Sequence, residues 1–228
     1  MRITLPSATE AEIDTTVAGA TQGIVVAPDI FGLRPLFDDF VARIAREWQV
    51  RVIAVEPFPG RGLPLEIEPR VQAMPTMDDD LHLRDLEEGA AALGVSRVGL
   101  MGFCMGGMYC HKSARSEHFA RIASFYGMIH VPQAWQGPKQ GDPIEILQRG
   151  HANRVMAVVG LKDPYTPQSD IAELRSVGVS VVEYAEAEHG FAHDAARPAH
   201  RPADAADAFA RAKEWLLKQN SVDRNHED

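Results

Sequence analysis

The sequence predicts a mostly parallel, doubly wound α/β domain, and three observations carry that expectation. Short continuous apolar runs, such as residues 23–28 (GIVVAP) and 155–159 (VMAVV), have the composition of strands buried on both faces. Stretches with apolar residues at helical spacing alternate with these runs. No repeat, low-complexity segment or linker divides the 228 residues, so 1–228 reads as one domain.

Taken in order, residues 23–28 open the sheet. A helix over 36–47 follows Pro35, with Phe37, Phe40, Val41, Ile44 and Trp48 on one side. Residues 50–55 form the next buried strand, closed by Glu56-Pro57-Phe58-Pro59-Gly60. Residues 61–77 contain Pro64, Pro69 and Pro75 and are expected to be a long loop, of a length that is usually functional. Residues 78–93 are helical in pattern, with Asp78, Asp79 and Asp80 at the start and Gly94 just past the end. A strand over 97–101 runs almost directly into a helix over 105–114. Strands over 122–126 and 155–159 bracket a Pro- and Gly-rich stretch, 129–150, with one short helix at 144–148. A helix at 172–177, a strand at 180–184 and an amphipathic helix at 203–218 complete the alternation. The polar residues 220–228 are expected to fray.

Hydrophobic residues make up 45% and charged residues 24%, enough apolar material to bury a core without disulfides or metals. The formal net charge of −9 argues against a nucleic-acid binder, which needs a basic face, and equally against a surface for anionic lipid. It leaves an anionic small molecule open, because a few local arginines can override the global field. No apolar run has membrane-spanning length and the N-terminus lacks a signal-like core, so a cytoplasmic protein is expected. Cys104 and Cys110 lie roughly two turns apart on one helix, where a disulfide would be strained, so two free thiols are expected. His189 and His193 are close enough to share a metal on a helix, but Gly190 intervenes and a third ligand is missing, so neither metal nor cofactor is expected. His82, His111, His118 and His151 are assigned to polar faces or loops, without chemistry.

Gly102-Phe103-Cys104-Met105-Gly106-Gly107 follows a strand and opens a helix. This is the G-x-nucleophile-x-G elbow of the α/β-hydrolase fold, with cysteine in place of serine. Small neighbours let strand and helix pass closely, the helix N-terminus favours a thiolate, and the Met105 amide points to the oxyanion of a tetrahedral intermediate. A buried structural cysteine or a phosphate-binding turn would give a similar motif, so the partners decide. An elbow needs a histidine base and an acid to orient it, in the chain order nucleophile, acid, histidine. Asp163 follows the 155–159 strand and His189 follows the 180–184 strand, which puts both at the carboxyl edge of the sheet beside Cys104.

With these pieces in place, the chain resembles the dienelactone hydrolase family of α/β-hydrolases. The matching segments are Pro28-Asp29-Ile30-Phe31-Gly32, the Cys104 elbow, Asp163 followed by Pro167, and His189-Gly190-Phe191-Ala192. The resemblance implies hydrolysis of enol-lactones or activated esters through an acyl-cysteine. It implies Ile30 N–H as the second oxyanion donor and Asp29 as the residue that gates the thiol, where the family has glutamate. It points to Arg70, His193 and Phe31 as substrate contacts, His193 standing where the family has an arginine that holds a carboxylate. The expected partner is a small ester or lactone, and the expected assembly a monomer or small homo-oligomer. A thiolate leaves as readily as it attacks, so esters and lactones suit it better than amides. Two other readings of Cys104 stay open at this level, a thiol redox or sensing protein and a catalytically silent binder.

Overall fold

The chain enters its sheet through two strands that the sequence reading did not assign, Arg2–Thr4 (β1) and Glu10–Asp14 (β2). In β2, Ala11 and Ile13 are buried while Glu10, Glu12 and Asp14 face outward, a period of two that belongs to an antiparallel strand with one wet face. The reading that found the continuous apolar runs passed over it. The computed structural model describes residues 1–218, and the expected frayed segment, 220–228, lies outside the described residues.

The alternation then proceeds as expected. Gln22–Ala27 (β3), Pro35–Trp48 (α1) and Arg51–Val55 (β4) come first. Residues 61–77 are not wholly irregular, because they contain the helix Ile67–Ala73 (α2). Its core is the buried Arg70, a residue type that apolar patterning does not read as inward. Asp79–Ala92 (α3), Arg97–Phe103 (β5), Met105–Lys112 (α4), Arg121–Phe125 (β6), Pro143–Arg149 (α5) and Val155–Gly160 (β7) follow. Gln168–Ser176 (α6), Ser180–Tyr184 (β8) and Pro202–Leu217 (α7) complete the described chain.

The acidic start of α3 does what its residues predict. The Asp78 carboxylate accepts from the amides of Asp80 and Leu81, an N-cap worth about 1 kcal/mol. Gly94 ends the helix at φ +60, where only glycine is unstrained.

The eight strands form one sheet in the order β1-β2-β4-β3-β5-β6-β7-β8. β1 and β2 pair antiparallel, as do β2 and β4, and the remaining pairs are parallel. Successive strand residues point to opposite faces. Val25, Ile53 and Leu100 pack with Leu86 and Ala90 of α3, Cys110 of α4, Leu147 of α5 and Leu174 of α6. On the other face, Ile24, Val52 and Met101 pack with Phe37, Phe40 and Ile44 of α1 and Ala208 and Ala212 of α7. Each fully buried large apolar side chain contributes about 1.5–3 kcal/mol. The sheet is therefore covered on both sides, and the parallel strands deliver their C-terminal turns to one edge.

At that edge a third apolar cluster gathers Ile30, Phe58, Met74, Met77, Met105, Met108 and Tyr109, with Cys104, Phe31, Leu63 and Trp135 packed at its margin.

Candidate active site

Between β5 and α4 the backbone turns on one residue, Cys104, at φ 55 and ψ −115. A non-glycine residue there costs about 1–3 kcal/mol and persists only where its surroundings enforce it. They do so by close approach. A Cβ on Gly106 would lie 2.0 Å from the Ala27 carbonyl oxygen, and one on Gly102 would lie 2.3 Å from the Gly106 oxygen. Strand β3, strand β5 and helix α4 can meet only without side chains at those positions. The Cys104 amide donates to the Phe125 carbonyl at 3.0 Å, which fixes the turn to β6. Cys104 remains partly exposed, while Cys110, one face further along α4, is buried, and burial pushes its thiol up.

The loops after β7 and β8 are tied together by their backbones. Leu161 N–H donates to the Tyr184 oxygen and Lys162 N–H to the Ala187 oxygen. This brings Asp163 and His189 into contact, with His189 Nδ1 2.7 Å from Asp163 Oδ2. The other carboxylate oxygen accepts the Tyr165 amide at 2.8 Å, so Asp163 is oriented from both sides. With Nδ1 on Asp163, Nε2 of His189 is left for Cys104. Burial opposes a charge on His189, but the negative charge at Cys104 and hydrogen bonds to Asp163 and Cys104 raise its pKa to about 10.

The amide of Met105 opens helix α4 and, like other first-turn amides, has no intrahelical acceptor. Among the described residues the Ile30 amide likewise donates to no protein group. The outer side of His189, with Lys162, Glu188 and Arg197, borders a cavity of about 450 Å³. A partly exposed thiol, an imidazole bonded to a buried carboxylate, and two amides without protein acceptors thus meet at one partly open edge.

A profile of the dienelactone hydrolase family matches residues 11–220. The chain belongs to the dienelactone hydrolase family. It is 27% identical over 206 residues to the "Probable 2-oxo-3-(5-oxofuran-2-ylidene)propanoate lactonase" of a Bradyrhizobium species, covering 85% of this chain and 82% of that one. It is 26% identical over 133 residues to carboxymethylenebutenolidase 2 of Cupriavidus pinatubonensis, covering 57% of this chain and 53% of that one. In fold it is similar to the crystal structure of a "Putative Dienelactone Hydrolase" from Klebsiella pneumoniae, with a TM-score of 0.82, 22% identity and coverage of 96% and 98%.

Three residues expected at the thiol or the substrate have their polar atoms engaged by other protein groups. Both oxygens of Asp29 are occupied. Oδ1 accepts from Arg34 Nη1 at 2.7 Å and Phe31 N–H at 3.0 Å, and Oδ2 from Arg34 Nη2 at 2.9 Å and His193 Nε2 at 2.8 Å. Burial opposes that charge, yet the hydrogen bonds from His193 and Arg34 hold the carboxyl well below the usual range. The thiol is not among its hydrogen-bond partners. His193 has no exposed side-chain surface and cannot meet a substrate, because it fills the space between Asp29 and Tyr126. Arg70 is buried too, and its donors end on the carbonyls of Ile30, Leu63 and Pro64. Phe31 is partly buried and packs at the rim of the apolar cluster.

Two histidines read as lying on polar faces are also inside. His82 and His111 are buried, and burial lowers both to about 4. Every residue of α4 is buried, so His111 has no polar face to occupy and bonds Ser124 instead.

Sequence reasoning missed Tyr126 and Tyr165. Their rings meet the His189 ring edge-on at centroid distances of 5.3 and 5.0 Å. Tyr126 stands at the C-terminal end of β6, the edge where chemistry gathers, and that position was the available signal.

Proposed function

We propose that this member of the family hydrolyses activated esters or enol-lactones through an acyl-cysteine on Cys104. The observation that carries the reading is His189, bonded through Nδ1 to Asp163 at 2.7 Å and facing the strained Cys104 with its other nitrogen. Cys104 Sγ attacks the carbonyl carbon, and the oxyanion is received by the amides of Ile30 and Met105. Collapse expels the enolate or alkoxide oxygen, which takes the proton from His189 Nε2. His189 then removes a proton from water, the hydroxide attacks the thioester, and the thiolate leaves again. Asp163 holds the imidazole in the tautomer this cycle needs. Stabilised leaving groups are favoured, because a thiolate adduct otherwise reverts.

The relatives named as lactonases and carboxymethylenebutenolidases support this substrate class. A redox cycle has less support, since Cys110 is buried and set back behind Gly102. The test is a panel of activated esters and enol-lactones, with and without a carboxylate, with turnover measured for wild type and Cys104→Ala. Loss of turnover in Cys104→Ala and a substrate-derived mass on Cys104 in the wild type are expected. Undiminished turnover by Cys104→Ala sinks the assignment.

A further inference from the structure

We infer that His193 is a positioning residue that locks the oxyanion loop and the catalytic histidine to one another, through Asp29 on one side and Tyr126 on the other. The inference rests on the reading of Cys104, Asp163 and His189 given above.

The imidazole of His193 is stacked on Phe103 at 4.8 Å and 20°, and on Phe37 at 6.0 Å and 26°. These rings leave it one orientation, with both nitrogens engaged. Tyr126 Oη lies 2.6 Å from Nδ1 and also accepts the His193 backbone N–H at 3.3 Å. The ionised Asp29 can only accept, so Nε2 carries the single ring proton of the buried, neutral His193, and Nδ1 accepts the Tyr126 hydroxyl while that oxygen accepts the amide. The Nε2–H donates to Asp29 Oδ2 at 2.8 Å. Every donor in the chain meets an acceptor, which makes the network rigid.

Both ends of this chain reach the chemistry. Asp29 immediately precedes Ile30, and its carboxylate and carbonyl accept the amides of Phe31 and Gly32, so its position sets the direction of the Ile30 N–H. Tyr126 has φ 42, an outlier for an aromatic residue, and its ring lies edge-on against His189. Strain in so bulky a residue persists only where its surroundings over-determine it, and the Tyr126 hydroxyl on His193 together with its amide on the Val158 oxygen supply that. Arg34 completes the far side by chelating Asp29 with two nitrogens.

The experiment compares Tyr126→Phe, which deletes one oxygen and keeps the ring, with His193→Gln, which can still donate to Asp29. Steady-state kinetics on an activated ester should show kcat falling about 10-fold to 100-fold in Tyr126→Phe with KM nearly unchanged. His193→Gln should lose less than His193→Ala. Independently of turnover, the low-field proton NMR signal of the His189 Nδ1–H should shift or broaden in Tyr126→Phe. Unchanged kcat together with an unchanged His189 signal overturns the inference, as does a lower melting temperature with kcat intact below it. Retained turnover in Cys104→Ala would instead overturn the assignment of the nucleophile, and the NMR comparison would still decide the role of His193.

Discussion

Arg70 donates from Nη1 to the carbonyl oxygen of Ile30 at 2.9 Å, across 40 residues of sequence. The same guanidinium holds Leu63 and Pro64, so helix α2 pins the loop after β4 against Ile30, whose amide is the proposed second oxyanion donor. Arg70→Met should therefore lose about 2–3 kcal/mol in urea unfolding and lower kcat as well, because a buried carbonyl loses its donor. A variant with normal stability and only a raised KM would return Arg70 to the role of substrate contact.

The proton on His189 couples stability to alkaline pH. Its pKa is about 10 in the folded chain against an ordinary 6.5, so the folded state binds the proton more tightly than the unfolded one. That stabilisation is complete below pH 6.5 and is lost as pH rises toward 10. The gap in urea midpoint between wild type and His189→Gln should shrink over this window. In a Cys104→Ala background the charge raising His189 is gone, and the upper end of the window should fall. A gap that widens with pH contradicts the assignment.

His82 and His111 act in the opposite direction. Burial lowers both from 6.5 to about 4, so the unfolded chain takes up their protons first as pH falls. Their contribution is present above pH 6.5 and is lost between there and pH 4. His111→Gln should flatten the acid limb of the stability curve, measured as urea midpoint against pH, while retaining a partner for Ser124. An equally steep limb in that variant and in His82→Phe would place the acid sensitivity elsewhere.

Lys112 and Asp79 form a buried pair, with Nζ 2.8 Å from Oδ1 and 2.9 Å from Oδ2. Lys112→Met leaves the carboxylate uncompensated and should cost about 3–5 kcal/mol. The double variant Lys112→Met with Asp79→Leu should recover most of that loss. Recovery will be incomplete, because Asp79 also accepts the Gly141 amide. Chemical denaturation of the single and double variants gives the comparison, and a double variant no better than the single one refutes the pairing energy.

Strands β3, β4, β5, β6 and β7 were legible because a strand covered on both faces is apolar throughout, a pattern few other elements share. β2 was not, since half of its residues are acidic and its partner is met only in the folded sheet. Cys104, Asp163 and His189 could be read from position, each following a strand at one edge. Arg70 and His193 could not be placed that way. Their partners lie as far as 164 residues off, and only tertiary contact turns a charged or polar side chain into an interior tie. His111 failed for a related reason, because its ring turns inward to Ser124 of β6, a partner that periodicity along α4 does not reveal.

The turn at Cys104 constrains a peptide, not an element. Its φ of 55 and its glycine-lined approach would accept a hydroxyl on the same Cβ with no change in the scaffold. The decision between sulfur and oxygen chemistry is thus separable from folding. On the acyl-cysteine reading proposed above, exchange of a single atom would retune which acyl groups are released while leaving the eight-stranded frame as it is.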